Sequence, residues 1–331
     1  LIAGLGFALA GLAALALGQV EAALCLVLAT LYHAAQAADV HPALGRLHAF
    51  LAWIPAAAGA LALGAVAVAT LEGTATAPRL AVAGLAGLGA AACLATLVPA
   101  VADAWTRRLF RGDAPDRTLR LSATIVLAAL WAGPSLWFAA RDVLGDLLQD
   151  PASLVSVRSL GGGLAGYVVL AFAAVGIGVR RGWRGSLARL GLVRPRAADA
   201  LAVVGGVVAL WLLNAGSEWL ERTALPQLWE RDSAFTAALA AAMGPGQTLL
   251  LGLSAGIGEE ITLRGALQPK LGIALTSLLF ASLHVQYSWF GMLALLFFGL
   301  LLGVIRRRTS TTVAIAVHAL YDVLAVTTAR S

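Results

Sequence analysis

The chain has 331 residues, of which 60% are hydrophobic and 12% charged, with a formal net charge of +6. Mean hydropathy is +0.87. These values exclude an ordinary soluble globular domain, and a β-barrel would show ten-residue segments of alternating polarity instead. The chain reads as an all-α, polytopic membrane helical bundle. A span takes about 20 apolar residues. About eleven spans are expected, near 1–20, 22–38, 49–70, 81–104, 121–140, 159–178, 199–215, 236–266, 271–286, 289–305 and 311–328. The first lacks a preceding basic stretch and runs on into further apolar segments, so it reads as a helix and not as a cleaved signal. The eighth is interrupted by Met243-Gly-Pro-Gly246, which predicts a break there and a helix starting near Gln247.

The loops set an orientation. Residues 106–120, 179–196 and 306–308 are basic, whereas 141–158 and 217–232 are mixed. The positive-inside rule puts the basic loops in the cytoplasm, with the N-terminus inside and the C-terminus outside. Arginines confined to short loops indicate orientation and not nucleic-acid binding. Cys25 and Cys93 lie in apolar runs and read as small core residues. A composition break near 105–120 divides the chain into added transmembrane helices of unknown role (1–140) and a C-terminal core (141–331). Gly-rich stretches at 252–258 and 299–303 are expected to leave room for lateral entry of a substrate.

Charged groups in a bilayer cost about 2.5–3.5 kcal/mol each near its centre, so they face the interior, pair, or serve a function. Three clusters of them occupy the last third. In "GIGEEITLRG", Glu260 and Arg264 are i,i+4 and can pair on one helical face. Glu259 is rotated about 100° away and keeps no local partner. In "FASLH", Phe280 and His284 share a face, as do His318 and Asp322 in "HALYD". At 1.5 Å per residue, Glu259 lies about 16 Å and His284 about 21 Å from Lys270, with His318 about 15 Å from Arg308. These depths match, and Glu259 is expected to point toward His284 and His318.

In that order the motifs fit E-E-x-x-x-R, F-x-x-x-H and H-x-x-x-N/D. They resemble the CPBP intramembrane metalloprotease family, which includes the CAAX prenyl endopeptidases of the Ras-converting type and bacterial relatives linked to bacteriocin self-immunity. The likeness is strong over 247–328 and extends upstream to about 159. It implies an intramembrane endopeptidase, open to the cytoplasmic side, acting on a peptide or lipid-anchored protein substrate, in a bacterial inner membrane. It implies that Glu259 activates water and that His284 assists as base or metal ligand. His318 and Asp322 then stabilise the oxyanion or complete the site, supported by Glu260, Arg264 and Phe280. Asp322 departs from the asparagine of some members, and an ionised aspartate cannot donate to an oxyanion. Glu259, His284 and His318 are a plausible zinc set with an open fourth position; a metal-free, glutamate-activated water is the other option. Two further readings stay open: a non-catalytic immunity or scaffold protein of the same fold, and a transporter or proton relay.

Overall fold

The computed structural model describes residues 2–72, 76–110, 114–139 and 154–330. Among them the regular structure is helical, with one isolated bridge between Ile177 and Arg181. In lipid the backbone must satisfy its own polar groups, and a helix does so within one segment. The N-terminal helices are α1 (Ile2–Ala16), α2 (Val20–Val40), α3 (Gly45–Leu51), α4 (Trp53–Leu71), α5 (Ala77–Ala95), α6 (Pro99–Leu109) and α7 (Arg117–Ala139). Then come α8 (Val157–Ala174), α9 (Trp183–Leu190), α10 (Asp199–Ala224), α11 (Pro226–Ala241) and α12 (Pro245–Glu259). A π-helix (Glu260–Leu267) follows, then α13 (Gln268–Ser282), α14 (Trp289–Arg308) and α15 (Thr311–Thr328).

Among the described residues six helices are long and apolar enough to cross a membrane, or eight if each of two bent pairs counts as one span, against the eleven expected for the whole chain. The segment 81–104 is not one rod: Arg79–Ala95 and Pro99–Leu109 meet at 107°. Pro99 takes the first position of the second piece, after the N-cap Val98, where its missing N–H costs nothing. The break expected at Met243–Gly246 is present, and Pro226–Ala241 meets Pro245–Ser282 at 118°. Segments 236–266 and 271–286 therefore belong to one bent pair. Gly272, at φ +78° and ψ 172°, kinks α13 internally, a conformation that suits glycine. The stretch 217–232, expected as a loop, is helical apart from Leu225 and buries Glu221 and Asp232. Most of the mixed loop 141–158 lies outside the described residues. Outward faces are oily, with Leu61 74% and Leu201 80% exposed, as a lipid-facing surface requires.

The chain forms two compact units. One comprises Leu1–His33, Asp150–Ser277 and Tyr287–Ser331; the other comprises Ala34–Gln149 and Leu278–Gln286. In the second unit α4, α5 and α7 pack together. Asp39 accepts from the Arg117 amide at 3.0 Å and the Thr118 hydroxyl at 2.7 Å.

In the first unit α12 packs on α15 and α8, and glycines set the approach. A Cβ on Gly256 would lie 2.7–2.9 Å from Ala319, including its backbone, and one on Gly252 would lie 2.6 Å from the Ala319 carbonyl. Glycines four apart let two helices touch backbone to backbone. Gly299 and Gly303 meet Ser277 and Ile273 in the same way. These glycine stretches, expected to leave room for a substrate, are instead filled by neighbouring helices. Gly256→Val is expected to cost about 3 kcal/mol, the upper end for overpacking. Thermal unfolding checks this against Gly205→Val, which meets open space.

Candidate active site

The site begins where α12 gives way to the π-helix. Glu259 is the last residue of α12 and Glu260 the first π residue. The stretch was expected to continue as an α-helix. A π segment widens the turn, and such segments are frequent at functional sites. Glycines again fix its walls: Gly258 lies under the Tyr167 ring of α8, and Gly265 under the Leu190 carbonyl of α9. Two α9 bonds hold its far end, from Arg189 to the carbonyls of Gly265 (2.9 Å) and Ala266 (3.1 Å).

Glu260 and Arg264 are both 0% exposed, and Glu260 Oε2 lies 3.4 Å from Arg264 Nε. The other carboxylate oxygen, Oε1, accepts from His318 Nδ1 at 3.1 Å. That bond sets the proton on Nδ1. His318 Nε2 then faces Asp322 Oδ2 at 3.6 Å, beyond hydrogen-bond length. Ser310 caps α15 by accepting from the Val313 amide, which fixes the register of His318 and Asp322 two and three turns in. The order along this wall is Arg264, Glu260, His318, Asp322.

The partner of His318 is therefore Glu260, where the sequence pointed Glu259 toward it. Glu260 fills both supporting roles, holding Arg264 with one oxygen and His318 with the other. Glu259 is partly buried and lies within electrostatic range of His318, Glu260 and Arg264. Its Oε2 is buried and makes no hydrogen bond among the described residues.

Phe280 and His284 belong to the second unit. Phe280 is buried, its ring centroid is 4.6 Å from that of His284, and its carbonyl lies 2.7 Å from His284 Nδ1. A carbonyl only accepts, so Nδ1 carries the proton and Nε2 carries the lone pair. In this tautomer His284 is a base or ligand through Nε2.

No three His, Cys, Asp or Glu side chains among the described residues form a group that could hold a metal ion. His318 turns both ring nitrogens toward carboxylates. No chemical step proposed for this site runs through a metal held by Glu259, His284 and His318.

Sequence reasoning missed Tyr287. It lies within electrostatic range of Asp322, Asp232 and Glu259, and its ring meets Phe235 edge-on at 5.8 Å. Burial, then the Asp322 carboxylate, pushes its phenol up to about 12, so it remains a neutral O–H donor near neutral pH. Beside it Ser288 caps α14, and the Ser288 amide donates to both Asp232 oxygens, at 3.0 and 2.9 Å. The only signal in the sequence was its place three residues after "FASLH".

Residues 240–324 match the family model described as Rce1-like, type II CAAX prenyl endopeptidase Rce1-like. This agrees with the family that the three motifs resemble. The matched segment runs from the end of α11 through Asp322 of α15 and holds Glu259, Glu260, Arg264, Phe280, His284, Tyr287, His318 and Asp322. It is a protease family, here in a chain with the helices of an integral multi-pass membrane protein. No curated protein and no solved structure matches the chain.

Proposed function

We propose that the protein is an intramembrane endopeptidase that hydrolyses a peptide bond in a membrane-associated or lipid-anchored substrate. The observation that carries this reading is the buried oxygen of Glu259, which has neither a hydrogen bond nor an ion pair among the described residues, next to a second glutamate that accepts from His318 with one oxygen and pairs with the Arg264 cation through the other. One carboxylate is committed to structure and the other is available to a water. Glu259 takes a proton from that water, and the hydroxide attacks the scissile carbonyl carbon. The resulting oxyanion needs N–H or O–H donors, for which we assign Tyr287 and His318, the latter as an imidazolium that keeps Nδ1–H on Glu260 and donates from Nε2. Glu259 then returns its proton to the leaving amine as the C–N bond breaks. Asp322 orients His318. With the basic loops inside, the site opens toward the cytoplasm.

Tyr287→Phe keeps the ring and removes only the donor. Turnover is expected to fall about a hundredfold, as for other oxyanion donors, with little change in thermal unfolding. Unchanged turnover would remove Tyr287 from this assignment.

Function itself is tested by profiling protein termini in membranes holding the wild type or Glu259→Gln. New termini should appear with the wild type alone. Identical profiles would favour the non-catalytic reading of this fold.

A further inference from the structure

Nine of the fourteen arginines of unit one fall in two short stretches. Between residues 175 and 199 there are six arginines and one acid, Asp199, and Arg306–Arg308 close α14. Distant in sequence, the two groups are joined in space by the connector after α9. Thr311 N donates to the Gly191 carbonyl at 3.1 Å, and Thr312 Oγ1 bonds Val193 N at 3.1 Å and Val193 O at 2.9 Å. The one acid is already used, since Asp199 pairs with Arg196 at 3.1 Å. Arg189 is held between like charges. Its proton affinity is lowered first by burial and then by Arg181 and Arg306.

The first stretch also carries an interfacial apolar face. Trp183 is 61% exposed and stacks flat on Phe172 near the end of α8, with centroids 4.9 Å apart. Val193 is 50% exposed. Tryptophan beside arginine at the ends of spans is the pattern of a bilayer surface. A basic cluster with exposed apolar residues attracts anionic lipid. A soluble anion would gain nothing from Trp183 and Val193.

We infer that the α9 connector and the end of α14 form a binding surface for anionic phospholipid, with the headgroup phosphate among Arg184, Arg307 and Arg308 and the acyl chains beside Trp183. This is independent of the proteolytic reading. Because Arg189 and the connector also bond the π-helix and α15, the bound lipid would brace the elements that carry Glu260 and His318.

The test uses the full chain in neutral detergent. Thermal unfolding is followed during titration with phosphatidylglycerol, with phosphatidylcholine and with inorganic phosphate. Phosphatidylglycerol alone should raise the midpoint. At about fivefold per arginine near a membrane surface, Arg184→Gln with Arg307→Gln should weaken its apparent affinity about 25-fold. Arg107→Gln with Arg108→Gln removes equal charge from the exposed end of α6 and should change it less than twofold. If the first pair unfolds the protein, Arg184→Lys with Arg307→Lys keeps the charge and should keep binding within about fivefold. Equal losses in the two glutamine pairs, equal stabilisation by phosphate or phosphatidylcholine, or no midpoint shift would each overturn the inference.

Discussion

Arg264→Met is expected to lower the stability of the protein by about 3–5 kcal/mol, the range for breaking a buried ion pair from one side. Both partners are 0% exposed, so removing the cation leaves Glu260 ionised without solvent to hold it. Methionine nearly matches the volume, which confines the loss to electrostatics. Arg264→Met combined with Glu260→Met removes both charges and should be more stable than Arg264→Met alone, because the pair also carried a desolvation cost. The double variant will not regain full function, since Glu260 also orients His318 at 3.1 Å. Unfolding in mixed micelles reads all three proteins. A wild-type midpoint for Arg264→Met would show that the pair contributes nothing.

Glu259→Gln is expected to lose about 10²–10⁴-fold in turnover, the usual contribution of a general base, while the fold stays intact. The amide fills the same space, and the oxygen it modifies makes no hydrogen bond among the described residues. Glu260→Gln differs in kind. It leaves Arg264 buried with a neutral partner and weakens the bond to His318, so its midpoint should fall along with its activity. The two adjacent glutamates are thus separable: one substitution silences a folded protein, and the other loosens it. If both lowered stability alike, the division between them would fail.

Much of this was readable in the chain. Apolar runs gave the helical class, and Met243–Gly246 marked a real break. The i,i+4 spacings of Glu260 with Arg264 and of His318 with Asp322 correspond to short distances in the structure. What the sequence hid depends on backbone geometry and on remote neighbours. Periodicity counts at 3.6 residues per turn and cannot foresee that Glu260–Leu267 winds as a π-helix. It therefore did not foresee that Glu260 bonds His318. The basic stretch 179–196 looks like a loop because its helix, α9, is short and polar. Its fastening to the π-helix spans 76 and 77 residues of sequence. Glycines at 252 and 256 read equally as space or as close packing, and only Ala319 across from them decides. Tyr287 had no motif to mark it, because its role comes from neighbours on α11, α12 and α15.

The central claim is that Glu259 activates a water for peptide hydrolysis. It is tested most directly by single-turnover cleavage in H₂¹⁸O, using a substrate found by terminus profiling and purified wild type beside Glu259→Gln. The account predicts one ¹⁸O in the new carboxyl terminus with the wild type. It predicts a single-turnover rate at least about a hundredfold lower for Glu259→Gln at an unchanged unfolding midpoint. Cleavage by Glu259→Gln at the wild-type rate would contradict it.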